Sequence, residues 1–388
     1  MAGREPGPTL LVMTALHGNE PAGMLGAERV LEELEAAGGL PRGDFLAVVG
    51  NREAVSRGIR FQDLDLNRAW LSPRLRALQR GRLPRPPRLE DREQSEILKV
   101  LDEAERRARG AITVLDLHTT SGPGAAWSTT GDTLQNRTLA LSLPVPLVLG
   151  LEEQVEGTLL EYLDERGWAN LVVECGQHQD PRSPDRAEAV IWLALEATGL
   201  LGAGFLPRVR RARELLATER RGDRRPRVAE MRYRHPVEVG DGFQMEPGYS
   251  NFQPVAEGQL LAHDRRGPVT APHAGRLLMP LYQSLGSDGY FLIRRVRPVW
   301  LRLSAFLRRW ELSGLLPWLP GVHRTREGSE ILVVDRGVAR WLALEFFHLL
   351  GFRKVRERGR LLVLTRRAQD RKAGPGSSES QPQGLASK

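Results

Sequence analysis

Residues 9–20 read TLLVMTALHGNE and residues 113–121 read TVLDLHTTS, two apolar runs of strand length that each lead into a histidine. Runs apolar at successive positions, rather than at alternate ones, belong to strands covered on both faces. Residues 10–16 are therefore read as a buried strand and residues 21–36 as the helix after it. Outward from there come strands over 45–49, 111–117, 147–149 and 170–174. Helices are read over 92–109, 134–143, 159–166 and 186–198. In the 92–109 helix, Ile97, Leu98, Leu101 and Ala104 form the apolar stripe. Residues 72–90, rich in Pro and Arg, read as an irregular surface loop. Strands alternating with helices give an α/β layer sandwich with a largely parallel sheet.

The pattern changes further along. Residues 1–206 form the first unit. Residues 207–227 hold nine arginines and read as an Arg-rich linker or an exposed helix. Residues 228–296, rich in Gly, Pro and alternating apolar positions, suggest a small β-barrel or sandwich. Residues 297–367 return to a mixed pattern: a Trp/Leu-rich helix, a strand at 331–335, a helix at 338–350 and two final strands. Residues 368–388, rich in Gly, Ser, Pro and Gln, are expected to be disordered.

The net charge of +8 is unevenly spread, because residues 297–367 alone hold 15 Lys/Arg against 6 Asp/Glu. The rest is close to neutral, so nucleic acid is not an expected partner. No apolar run reaches the ~18 residues of a membrane span, and no secretory leader is read at the start. The one cysteine, Cys175, leaves no internal disulfide. A cytoplasmic location is the resulting expectation.

Open α/β sheets place ligands where strands end. The first strand closes into His17-Gly18-Asn19-Glu20, and another delivers His118 just after Asp116-Leu117. A His-x-x-Glu pair converges an imidazole and a carboxylate on one point. With a second histidine it would hold tetrahedral zinc and keep a fourth position for water. On its own, the pair is more often the start of a surface helix.

Further motifs weigh against that bland reading. The segments ALHGNEPAG (15–23), GNREAVSRGIRFQDLDLNRAW (50–70), LDLHTTSG (115–122) and VVECGQH (172–178) occur in order. Together they resemble the succinylglutamate desuccinylase/aspartoacylase family, a branch of the zinc carboxypeptidase superfamily. Residues 267–294 resemble its C-terminal β-domain more loosely. The resemblance implies a three-layer zinc-carboxypeptidase-like sandwich with a mixed, largely parallel sheet, then a small β-domain and a C-terminal α/β extension. It implies one Zn2+ per chain, held by His17, Glu20 and His118.

By the same resemblance, Glu174 is the general base that takes a proton from zinc-bound water and returns one to the leaving amine. Arg60 stabilises the oxyanion, and Asn67 with Arg68 grips a substrate carboxylate. Arg60 also reads as a surface arginine and Asn67 as a turn cap. Asp65 reads as loop support, Asp116 as a partner orienting a ligand, His178 as a structural histidine or pocket contact, and Cys175 as packing. The chain departs from the aspartoacylase branch twice. Its additional arginine falls ambiguously near Arg166, and its substrate-binding tyrosine falls at Met279, with Tyr282 and Tyr290 as stand-ins. The implied activity is that of a zinc-dependent amidohydrolase on carbon–nitrogen bonds other than peptide bonds, deacylating an N-acyl amino acid or related small amide. A metallocarboxypeptidase and a non-catalytic binding protein on the same fold are the alternatives. A homo-oligomer is compatible with all of them.

Overall fold

The computed structural model describes residues 1–82, 86–222 and 225–310, then residues 318, 321–324, 331–335, 350, 352–358 and 361–366. The strands in chain order are β1 (Glu5–Thr14), β2 (Arg42–Val49), β3 (Ile112–Thr120), β4 (Trp127–Thr129), β5 (Leu147–Leu149), β6 (Ala169–Gln177) and β7 (Val228–Pro236). They are followed by β8 (Gln244–Met245), β9 (Pro254–Val255), β10 (Leu260–Asp264), β11 (Gly267–Thr270), β12 (Gly275–Leu278) and β13 (Asp288–Arg295). A ten-stranded sheet runs in the order β2-β1-β3-β6-β4-β5-β7-β13-β12-β9. Strands β2, β1, β3 and β6 are parallel, and β4 lies antiparallel to β6.

The apolar run that opens the chain is buried on two faces, and alternate residues serve different layers. Leu10, Val12, Leu115, Leu117, Leu171 and Val173 pack against the helices Ala22–Ala36, Ser183–Ala197 and Leu206–Gly222. Leu11, Met13, Ile112 and Val114 face the helices Ser72–Gln79, Leu89–Arg107 and Leu159–Glu165 on the other side. This is the expected three-layer α/β arrangement around a mixed, largely parallel sheet.

The structure differs from the sequence reading, or decides it, at three places. Residues 72–79, read as irregular, form a helix: Pro73 sits in the first turn, where its missing N–H costs nothing, and Leu75 and Leu78 are buried. Arg74 ties it to the next helix through Asp91 and Gln94. Of the two readings of 207–227, a linker or an exposed helix, the helix holds over Leu206–Gly222, with Val209, Ala212 and Leu216 packed inward at helical spacing. Its arginines occupy the remaining faces, which is why composition hid the stripe. The short strand β4 also went unread, since three residues leave no period to detect.

The region 228–296 does not stand apart from the main sheet. Leu147 in β5 pairs in parallel with Val228 in β7, and β7, β13, β12 and β9 extend the sheet antiparallel. A separate sheet, β11-β10-β8, covers one face of that extension. Met245, Leu261 and Ala262 pack there against Leu277, Tyr290 and Leu292, so the small sheet and the extension of the main sheet face each other as a sandwich.

In the extension, the helix Pro298–Arg309 is followed by strands Val322–Arg324, Ile331–Asp335, Phe352–Arg358 and Leu361–Arg366 in one antiparallel sheet. The helix read at 338–350, its last residue apart, and the tail 368–388 lie outside the described residues. The guanidinium of Arg308 is buried, donating 2.8 Å from Nη2 to Asp132 Oδ2 and 2.5 Å from Nη1 to the Asp132 carbonyl. Asp132 keeps Arg137 as a partner, so Arg308→Ala is expected to destabilise the chain by about 1.5–3 kcal/mol, through the charged hydrogen bonds it removes. The exposed Arg309→Ala should cost less than about 0.5 kcal/mol. Denaturant midpoints of the two variants check this, and equal midpoints would show that Arg308 does not anchor the extension. No helix of the described residues is long and apolar enough to cross a membrane.

Candidate metal centre and active site

After β1 the backbone turns sharply, with Ala15 at φ 50°. Gly18 then passes so close to the helix Arg52–Arg57 that a Cβ would lie 2.1 Å from the Ala54 carbonyl carbon. Glycine is therefore required there, and the turn closes with Glu20 N donating 3.1 Å to the His17 carbonyl. This folds His17 and Glu20 onto one point.

His17 Nδ1 lies 2.8 Å from Glu20 Oε1, and His118 Nδ1 lies 3.1 Å from Glu20 Oε2. All three residues are buried, and one donor atom from each falls within 4.8 Å of the others. The opposite ring nitrogens face carboxylates: His17 Nε2 is hydrogen-bonded to Asp65 Oδ1 at 3.0 Å, and His118 Nε2 lies 3.1 Å from Asp116 Oδ2 as an ion-pair contact. That leaves both Nδ1 atoms aimed inward, the orientation that carboxylate–histidine pairs impose on metal ligands. Two imidazoles and a carboxylate suit zinc and related divalent ions.

Electrostatics agree with a site built around charge. Burial opposes ionisation of Glu20, yet His17 and His118 hold its carboxyl well below the usual range. Burial likewise opposes a proton on His118, but Asp116 and Glu20 raise its pKa well above the usual imidazole value.

Glu174 stands beside His118 in register, on the neighbouring parallel strand β6. It is 7% exposed, and its Oε2 makes no hydrogen bond. Burial pushes its pKa up to about 8, with the charge of Glu20 adding to the rise and His118 and Arg60 opposing it. A buried, unengaged carboxylate beside a three-donor cluster is what a metal-assisted proton transfer needs, so the residues fit a metal.

Arg60 is not a surface arginine. It donates 3.3 Å from Nη1 to Glu20 Oε1 and 3.3 Å from Nη2 to Asp65 Oδ2, and its buried Nε has no partner. Asn67 does not cap the turn, a role taken by Asp65, whose Oδ1 accepts from Asn67 N at 2.8 Å. Instead the Asn67 side chain accepts from Leu159 N at 3.0 Å and faces the cavity. Arg68 also lines it, donating 3.0 Å to Asp288 Oδ2.

The cavity enclosed by these residues has a volume of about 120 Å³. His178 is in its wall, with Nδ1 2.7 Å from Thr119 Oγ1 and Nε2 3.2 Å from Gln283 Oε1. Burial lowers its pKa, which favours the neutral ring. Cys175 is buried with its thiol pushed up by burial, consistent with packing.

Neither stand-in tyrosine reaches the cavity. Tyr282 donates 2.7 Å to the Glu246 carbonyl and Tyr290 is buried in the β-sandwich, whereas Met279 lines the wall. Arg166 pairs with Asp102 and stacks over Tyr162 and Trp168, so it is no substitute for the additional arginine. Sequence reasoning missed Gln283, Asp288 and Glu152, which also line the cavity. They arrive from a loop, a single 3-10 turn and a strand start with no local period, so nothing nearby marks them.

Fold and cluster together define an α/β protein with a candidate metal centre at the carboxyl ends of parallel strands. Residues 6–188 match the family model described as the Succinylglutamate desuccinylase/Aspartoacylase catalytic domain. That segment is similar to the succinylglutamate desuccinylase/aspartoacylase catalytic domain. Among curated proteins, a succinylglutamate desuccinylase of Pseudomonas paraeruginosa is 37% identical over 67 residues, covering 17% of this chain and 20% of that protein. The chain thus spans about a fifth of the length of the curated relative it matches. A solved succinylglutamate desuccinylase/aspartoacylase from Rhodobacter sphaeroides superposes with a TM-score of 0.54 at 15% identity, covering 76% of this chain and 88% of that one. The succinylglutamate desuccinylase of Vibrio cholerae gives 0.51 at 16% identity, over 75% and 82% of the two chains. These two structures establish the shared fold.

Proposed function

We propose that the chain is a zinc-dependent amide hydrolase that deacylates an N-acyl amino acid or a related small amide. The observation that carries this reading is the buried His17–Glu20–His118 cluster with the unengaged Glu174 carboxylate beside it. The match of residues 6–188 to the desuccinylase/aspartoacylase family model supports it. His17, Glu20 and His118 would hold one divalent ion, which supplies Lewis acidity toward water and the scissile carbonyl.

The chain's own groups do the rest. Glu174 accepts a proton from the attacking water and delivers it to the departing amine. Its raised pKa suits both halves of that exchange. The unpartnered Nε–H of Arg60 is a fixed donor for the negative charge that develops on the carbonyl oxygen. Asn67 and Arg68 bind the carboxylate of the substrate.

The test is amine release from N-acyl amino acids, lost on chelation and restored by zinc. A chain that binds zinc yet releases no amine from any N-acyl amino acid would sink the proposal. Arg68→Lys should raise KM about tenfold or more while changing kcat little, because an ammonium cannot reproduce the guanidinium fork. Esterifying the substrate carboxylate should cost the unmutated protein as much, and an unchanged KM in both tests would separate Arg68 from substrate binding.

A further inference from the structure

The core-facing stripe of the helix Leu89–Arg107 runs through Glu90, Gln94, Ile97, Leu98, Leu101 and Ala104, all buried. The last four are apolar and pack into the core, as a stripe at helical spacing should. Glu90 and Gln94, one turn apart at the head of the same stripe, are polar and 0% exposed. Their hydrogen bonds lead to one segment, residues 60–69, which carries Arg60, Asp65, Asn67 and Arg68. Glu90 Oε1 accepts from Gln62 N at 2.7 Å and from Asn51 Nδ2 at 3.4 Å, and its Oε2 accepts from Asp63 N at 3.2 Å. Gln94 Nε2 donates 3.1 Å to the Ala69 carbonyl. Arg74 fixes which way that amide faces, because its Nε donates 2.9 Å to Gln94 Oε1.

The segment is thus pinned just after Arg60 and just after Arg68 by two side chains on one helix face. Hydrocarbon at position 90 would strand the N–H groups of Gln62 and Asp63, so this backbone needs an acceptor there. Between the pins lie the contacts on which the cluster and the cavity depend. Asp65 Oδ1 is hydrogen-bonded to His17 Nε2 at 3.0 Å, and Arg60 spans Glu20 and Asp65. Gln62 and Asp63 sit between Arg60 and Asp65 in the chain, so a shift of their backbone moves both side chains at once. The Arg60 carbonyl also accepts from Gly18 N at 3.0 Å, which links the same anchor to the turn carrying His17 and Glu20. A misplacement of about 1 Å in such groups can cost about 10²-fold in rate.

We propose that Glu90 and Gln94 are positioning residues of this site: Glu90 sets Asp65 and Arg60 against His17 and Glu20, and Gln94 sets Arg68 at the substrate end. The inference rests on the metal-dependent hydrolase reading, and its Glu90 half is measured on metal affinity, without turnover. Glu90→Gln keeps the shape and one acceptor oxygen, but it turns an NH2 group toward a backbone N–H, donor against donor. Gln94→Met keeps the volume and removes the donor to Ala69.

The experiment measures zinc affinity by chelator competition without substrate, and kcat and KM by amine release from N-acyl amino acids. Glu90→Gln should weaken zinc about tenfold, as expected of a group that orients a ligand's partner. In an Asp65→Asn background the same substitution should change zinc affinity by less than about twofold, because the contact it acts through is already gone. Gln94→Met should raise KM about fivefold with kcat within about twofold, and lose that effect beside Arg68→Lys. Ile97→Val, on the same stripe but away from the segment, should lower the denaturant midpoint and leave zinc affinity, kcat and KM unchanged. Full zinc affinity in Glu90→Gln, an equal loss in both backgrounds, or the same loss in Ile97→Val overturns the Glu90 assignment. Should Glu90→Gln not fold, Gln94→Met carries the test: an unchanged KM, or an equal rise beside Arg68→Lys, overturns the pinning of the segment. Weakened zinc in Glu90→Gln, in a chain that releases no amine, would uphold Glu90 as a positioning residue and overturn the hydrolase reading.

Discussion

Glu20→Ala is expected to abolish metal binding: zinc content should fall from the proposed one ion per chain to near zero, and amine release with it. His17→Ala and His118→Ala should do the same, because each removes one of only three protein donors. The carboxylates behind the imidazoles give a graded control. Asp65→Asn and Asp116→Asn leave the donor set whole but loosen ring orientation, so affinity should fall about 10–100-fold while stoichiometric binding survives at high zinc. Elemental analysis and competition with a chromogenic chelator measure both quantities. Zinc retained by Glu20→Ala would refute the ligand assignment. Glu20 adds a second consequence in the metal-free chain. Its folded pKa lies well below the ordinary value of 4.5, so it stabilises the fold above that pH and loses the contribution as pH falls through the lowered value. In chelator at pH 7, Glu20→Ala should therefore unfold at lower denaturant than the unmutated chain.

What could be read in advance follows the range over which each signal acts. His17, Glu20, His118 and Glu174 lie at or beside the ends of apolar runs, so strand recognition alone places them near one edge of a sheet. The near-continuous burial of Leu10–Met13 is written in consecutive residues. The helix Ser72–Gln79 was hidden because arginines at 74 and 76 outweigh two buried leucines in any average. The same holds for Leu206–Gly222, where Val209, Ala212 and Leu216 carry the packing. Pairing of β5 with β7 joins residues about eighty apart, and the contact of Arg68 with Asp288 spans 220 positions. No local pattern encodes either. The polar wall from Gln283 to Asp288 therefore became legible only once the sandwich was seated against the first segment.

Glu174→Gln should keep its zinc and its fold while kcat drops about 10²–10⁴-fold, the usual worth of a general acid–base group. The amide nearly matches the carboxylate in shape, and Glu174 lies outside the three-donor cluster. It cannot accept the proton that attack on the carbonyl releases. Stability supplies an independent check, because the folded pKa of Glu174 is raised from its ordinary 4.5 to about 8. Below about pH 4.5 the group is protonated folded or unfolded, and it makes no difference. As pH rises from there toward 8, the unfolded chain ionises freely while the folded one resists, so the folded state binds more protons and loses stability. Above pH 8 the penalty is constant. In chelator, Glu174→Gln and the unmutated chain should thus unfold together near pH 4.5. By pH 8 the variant should be the more stable of the two, by up to a few kcal/mol. Zinc loading should shrink that gain, since a neighbouring divalent charge favours the carboxylate. Near-normal kcat in the variant would remove Glu174 from the mechanism, and parallel stability curves from pH 4.5 to 8 would mean that its carboxylate is not desolvated in the fold.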